Sequence, residues 1–163
     1  FGSPIDRRKV LGLVEGTEWN QMLELNRMAF SEALPRNSES RAMAIVFRLL
    51  RKHRPDIKWI LSFADGTQCG DGTIYRASGF LLTAVKRNTT IGWSEKLGRV
   101  VASHGTAKAR QGHVKMLPGY QFRYIRFVDH QWRDRLTVPV IPFSEIPSDA
   151  RMFRGERPGP TDG

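Results

Sequence analysis

The stretch that decides the fold runs from Ser38 to Ala64: SESRAMAIVFRLLRKH over residues 38–53, then RPDIK over 54–58, then WILSFA over 59–64. In its first part Met43, Val46, Phe47 and Leu50 fall at i, i+3, i+4 and i+7, one face of a helix, while Arg41, Arg48 and Lys52 share the opposite face. Ile45 and Leu49 are read as widening the apolar stripe, so this helix is expected to lie flat on a sheet. Pro55 stops it, because proline brings no N–H and its ring clashes with the preceding turn. The run Trp59–Ala64 is continuously apolar, the mark of a strand buried on both faces, as in a parallel pair. Upstream, Leu23 and Leu25 alternate with Glu24 and Asn26, which predicts a strand over residues 21–30. A strand–helix–strand crossover is right-handed almost without exception, so the two strands should be parallel with the helix across one face. The fold class is therefore α/β, or α+β with a mixed sheet.

Working outward, residues 5–15 suit a short amphipathic helix ended by Gly16. After Asp65 a glycine-rich turn spans residues 66–72, followed by a short helix over 73–78 and a strand over 80–85. Residues 86–116 are polar and basic and read as a long loop with one strand at 99–102. Residues 121–128 resume strand character, and Trp132 to Leu136 suit a helical turn. Pro139, Pro142 and Pro147 keep the chain extended. One domain is expected over residues 1–146, with a frayed tail over 147–163. Phe1-Gly2-Ser3-Pro4 resembles the exit from a strand, so the N-terminal part of the fold is expected to precede Phe1.

Composition narrows the function. With 40 % hydrophobic and 26 % charged residues in 163, the chain is ordinary globular material, and a domain of this size buries roughly 70 % of its unfolded surface. No run approaches the roughly 18 apolar residues of a membrane span, and no signal-peptide pattern opens the chain. The lone Cys69 forms no internal disulfide, and the four histidines show no zinc-ligand spacing, which points to a reducing, cytoplasmic compartment. A net charge of +10 and a pI near 10.5 point to a polyphosphate partner, with double-stranded DNA foremost. The alternative is a basic surface that serves solubility or an anionic cofactor.

Two constellations carry chemistry. Arg36, Asn37, Ser38 and Ser40 sit where the long helix begins, a place whose free N–H groups and dipole favour a phosphate. N-capping by Asn37 or Ser38 is the competing explanation. Ser62 and Asp65 lie at the end of the buried strand and Tyr75 on the helix that follows, where open α/β sheets place ligands. Asp65 could equally cap the turn, and Ser62 satisfy a backbone group. Cys69 as a nucleophile needs a base, and no histidine is near it in sequence. In residues 122–127 aromatics alternate with arginines, a pattern shared by base-stacking platforms and by ordinary strands, of which the strand is preferred. Lys86, Arg87, Lys96, Arg99, Lys108, Arg110, His113 and Lys115 punctuate the long basic region, where Arg87, Lys108, Arg110 and Lys115 are expected to meet DNA phosphates.

Thr73-Ile74-Tyr75-Arg76-Ala77-Ser78-Gly79-Phe80 resembles the Tyr-x-x-x-Gly-Phe ending of the fourth helix in GNAT N-acyltransferases. Together with Glu24-Leu25-Asn26-Arg27, Leu34-Pro35-Arg36-Asn37-Ser38-Glu39-Ser40, Ser62-Phe63-Ala64-Asp65 and Gly72-Thr73-Ile74-Tyr75, the chain resembles the Mom DNA-modification proteins of Mu-like bacteriophages, a divergent GNAT-fold group. The resemblance spans roughly residues 5–146. It implies a GNAT-like acyltransferase fold and transfer of a carbamoylmethyl-type group to the exocyclic amine of adenine in phage DNA, which defeats host restriction. It also implies that Tyr75 protonates the leaving group, and that the Arg36–Ser40 turn holds the pyrophosphate of an acyl donor. That turn has Glu39 and Arg41 where GNAT enzymes carry glycine, so the donor is either acetyl-CoA or another acyl carrier. Asp65 is expected to accept the amine proton and Ser62 to orient the acceptor or polarise the carbonyl. A non-catalytic DNA-binding module, and an acyltransferase acting on a small-molecule or protein amine, are the competing classes.

Overall fold

The computed structural model describes residues 1–4, 7–31, 33–35, 37–66, 72–102 and 112–150. In chain order its helices and strands are α1 (Arg7–Leu11), β1 (Met22–Leu25), α2 (Ser38–His53), β2 (Trp59–Asp65), α3 (Thr73–Ala77), β3 (Leu81–Arg87), β4 (Ile91–Ser94), β5 (Arg99–Ala102), β6 (Val114–Met116) and β7 (Tyr120–Phe127). β1 and β2 pair in parallel, from Met22 beside Trp59 to Leu25 beside Ser62, with α2 as the intervening crossover. β2 pairs antiparallel with β7, and β7 antiparallel with β3, so the order β1–β2–β7–β3 makes a mixed sheet.

Side chains on successive strand residues point to opposite faces, and both faces of this sheet are covered. Ile60 and Ala64 of β2, with Phe122 and Tyr124 of β7, join Met43 and Phe47 of α2 in one cluster. Trp59 and Leu61, with Ile125 and Phe127, meet Val10, Leu13 and Val14 on the other face. Two-sided burial is why residues 59–64 read as one apolar run. Phe63 breaks the pattern, since it is 50 % exposed.

The helix α2 has the predicted bounds, but its stripe is narrower than expected. Ile45 and Leu49 are 49 % and 51 % exposed. At 3.6 residues per turn they lie roughly 200° and 240° around the axis from Met43, on the side away from the sheet. β1 is shorter than the predicted strand, and α1 shorter than the predicted helix, although Leu13 and Val14 beyond α1 are buried.

Residues 86–116 depart most from expectation. The strand at 99–102 is present as β5, and β4 and β6 flank it in sequence to form a second, antiparallel sheet in the order β5–β4–β6. Gly92 within β4 and the three-residue length of β6 hide both strands from pattern reading. Asn88 ties this arm to the main sheet. Its Nδ2 donates to the carbonyls of Ile91 and Leu117, its Oδ1 accepts from the Thr90 and Ile91 N–H groups, and its own N–H donates to Gly119 O.

Residues 130–135 form a 3-10 turn, as expected for a helical turn near Trp132. Residues 148–150, which the sequence reading assigns to the tail, form another, with Ala150 buried in the core. Among the described residues no helix is long and apolar enough to cross a membrane.

Candidate active site at the ends of the parallel strands

The pairing of β1 with β2 stops at Leu25 and Ser62, and β2 runs on for three more residues. Each of these strands is followed by a helix, α2 after β1 and α3 after β2, so the carboxyl ends of two parallel strands and two helix N-termini share one end of the sheet. Ser62 is fully buried at the last paired position and its hydroxyl donates to Leu25 O at 3.0 Å, joining the strands where they part. Asp65 closes β2, half-buried opposite Gln121 of β7.

Tyr75 approaches from α3. Its ring stacks on Tyr124, centroids 4.9 Å apart, and meets Phe80 edge-on at 5.3 Å. The phenol donates to Phe63 O at 3.4 Å, longer than the usual 2.7–2.8 Å for an O–H···O bond. A ring clamped by packing thus carries a loosely engaged hydroxyl beside the free end of β2. Gly72 opens α3 at φ +83°, a left-handed conformation that favours glycine.

At the start of α2, Asn37 takes a left-handed conformation, φ +69°, and its side chain makes no cap bond. The Ser38 N–H and Oγ both donate to Pro35 O, at 3.2 and 2.6 Å, and Ser40 Oγ donates to Asn37 O at 3.0 Å. Capping by these side chains is therefore not what they do here. The N–H groups of a first turn have no acceptors within the helix, and an anion is one way to supply them. Arg36 of this turn, Cys69, Lys108, Arg110 and residues 151–163 lie outside the described residues.

Phe63, Arg123 and Glu24, to which the sequence reading gives no site role, share the face opposite α2. Phe63 stands directly across from Arg123, whose Nε donates to Thr83 Oγ1 at 3.0 Å and whose Nη2 donates to Thr83 O at 3.1 Å. Burial pulls the Arg123 guanidinium below its ordinary pKa. Burial also raises the Glu24 carboxyl, against the lowering effect of its hydrogen bond with Asn26. The alternation in residues 122–127 is a strand, as preferred, with Phe122 and Tyr124 wholly buried. The exposed ring on the sheet is Phe63, and only its parity with Trp59 and Leu61 could have marked its face.

The charge is unevenly placed. Residues 86–116 hold seven of the 26 Lys and Arg residues and one of the 16 acids, a net +6 of the chain's +10. Arg87 and Lys115 are exposed there, with the Arg87 guanidinium 5.6 Å from the Tyr120 ring centroid. Among the described residues no cluster of His, Cys, Asp and Glu is arranged to hold a metal ion.

A model of the Mom protein family matches residues 1–145. The chain belongs to the Mom protein family. Methylcarbamoylase mom of Escherichia phage Mu is 30 % identical to this Mom-family chain over 135 residues. The match covers 77 % of the chain and 56 % of the relative, so the chain spans about half the length of that protein. The Mom resemblance read from the sequence is thereby confirmed.

Proposed function

We propose that this Mom-family chain is part of a phage DNA-modifying enzyme of the GNAT-like acyltransferase type. It transfers an acyl-derived, carbamoylmethyl-type group to the exocyclic amine of adenine in double-stranded DNA and so protects that DNA from restriction in the host cytoplasm. The phage Mu relative is named a methylcarbamoylase, which supports a carbamoyl-containing group as the one transferred. The observation that carries the mechanism is the parting of β1 and β2 beyond Leu25 and Ser62, with the Tyr75 hydroxyl at Phe63 O on the α2 side of the free end of β2 and Asp65, by strand parity, on the Phe63 side. An acyl donor, acetyl-CoA or another acyl carrier, sets its phosphates against the first turn of α2, held by Arg36, Asn37, Ser38 and Ser40, and where the donor is acetyl-CoA the amide nitrogen of the finished group comes from a separate nitrogen-bearing co-reactant.

The exocyclic amine is a poor nucleophile that must lose a proton, and the donor's leaving group must gain one. Asp65 accepts the first and Tyr75 gives the second, while Ser62 holds the strand ends in register and so orients the acceptor. The basic region 86–116, through Arg87, Lys108, Arg110 and Lys115, contacts DNA phosphates.

Nucleoside mass spectrometry on DNA from cells expressing the full-length protein tests this reading. A new adenine derivative is expected, lost when Asp65→Asn and Tyr75→Phe are combined. An unchanged adenine profile with the parent protein would overturn it.

A further inference from the structure

The arm β5–β4–β6 leaves the main sheet at the end where Asp65 lies. Asp65 pairs with Gln121, Gln121 with Lys86, and the chain enters the arm through Asn88 directly afterwards. The Gln121 side chain also donates to Thr90 Oγ1 at 2.8 Å, bracing the root of the arm against the start of β7. Four residues of β4 at about 3.3 Å each carry the β4–β5 turn roughly 13 Å beyond that root.

The turn is Glu95-Lys96-Leu97-Gly98, closed by the Leu97 N–H donating to Ser94 Oγ at 3.2 Å and by Gly98 at φ +59°. Turn positions ordinarily go to polar residues, yet Leu97 stands at the apex, 42 % exposed and in neither core cluster, with exposed Lys96 and Arg99 beside it. An isolated exposed leucine is ordinary by itself. Here it tips an arm whose described residues carry Lys96, Arg99 and Lys115 against the one acid Glu95, so the apolar side chain stands among cations suited to phosphate.

We propose that the tip of the arm enters the minor groove of duplex DNA and that Leu97 is a wedge inserted between base pairs. The inference rests on the DNA reading above and extends it to the step before chemistry. An adenine amine inside a duplex cannot be reached until the nucleotide is extruded, at a cost in unstacking and unpairing. Apolar side chains delivered by minor-groove proteins meet such a cost by occupying an opened base step while flanking cations hold the backbone. The minor groove is about 7.5 Å deep, within the reach of this turn. Lys96, Arg99 and Lys115 supply the phosphate contacts and Leu97 the insertion.

The test uses the parent protein and three variants, Leu97→Ala, Leu97→Met and Arg99→Gln, on duplexes with 2-aminopurine opposite thymine. The parent is expected to bind and to raise the fluorescence at saturation as bases unstack. Leu97→Ala should abolish most of that rise with less than about a threefold change in Kd, and Leu97→Met, still apolar and long, should keep it. Arg99→Gln should weaken binding and lower the slope of log K against log salt by about 1, leaving the fluorescence at saturation intact. Parent-level fluorescence from Leu97→Ala, or binding by the parent with no rise at all, would overturn the wedge while leaving the DNA reading standing. Failure of the parent to bind duplex at all would overturn both.

Discussion

Tyr75 and Tyr124 stack with ring centroids 4.9 Å apart and planes 23° from parallel, and Phe143 adds a third ring to the column, 6.4 Å from Tyr124. The position of the Tyr75 hydroxyl is thus set by a fully buried ring of β7 and not by its own long hydrogen bond. Tyr75→Phe keeps the column and removes only the proton donor. Modification in single-turnover assays should fall by about 10²–10⁴, the usual weight of a positioned acid. The midpoint of urea unfolding should stay near that of the parent.

Gly72→Ala should be costly for two reasons that act together. The residue has φ +83°, and an added Cβ would lie 2.6 Å from the Tyr124 ring and 2.7 Å from its hydroxyl oxygen. Left-handed strain of about 1–2 kcal/mol and overpacking of about 1–3 kcal/mol should lower unfolding free energy in urea by about 2–5 kcal/mol. Because the displaced group supports Tyr75, modification should fall as well.

Asn88→Ala should loosen the arm more than the main sheet. The side chain serves the carbonyls of Ile91 and Leu117 and the N–H groups of Thr90 and Ile91, and although the Ile91 carbonyl also accepts from the Leu117 N–H, losing the side chain should cost about 2–4 kcal/mol locally. Hydrogen exchange should quicken at β4 and β6 while β2 and β7 stay protected. Equal change across both sheets would show that Asn88 acts on the whole fold.

Glu24 adds a pH dependence of definite sign. Unfolded, its carboxyl titrates at the ordinary 4.5, and burial in the fold raises it. Between those two values the native state holds the extra proton, so this group favours the fold below 4.5 and loses that contribution as pH rises through the native value. Glu24→Gln should flatten this part of the stability curve, as measured by urea unfolding from pH 4 upward.

How far the sequence could be read depended on whether a feature was periodic. α2 was legible to its ends because its face recurs at helical spacing, and the parallel pairing of β1 and β2 followed from crossover handedness. Ile45 and Leu49 were misplaced because hydrophobicity without angle counts any apolar residue toward the stripe. Phe63 was lost inside an apolar run that records burial on average and says nothing of where the covering layer ends. β4 and β6 are too short and too interrupted by glycine to show an alternation. In the site, the strand-end positions of Ser62 and Asp65 and the helical position of Tyr75 were legible from element order. The double donation of Ser38 to Pro35, the stack on Tyr124 and the Asn88 clasp depend on groups far apart in sequence or on backbone geometry.

The placement of β7 between β2 and β3 has a consequence for synthesis. β2 is complete at residue 65 and β3 at residue 87, yet the strand that joins them begins only at Tyr120. During translation both earlier strands must wait, each with an open edge, until the arm has emerged from the ribosome and the chain turns back. A nascent chain stalled between Met116 and Phe127 would expose those two edges at once, making this interval the window of greatest aggregation risk and of chaperone demand. The arm, whose own pairings are local, has the means to form first and to hold the ends of β3 and β7 together through Asn88 before the large sheet closes.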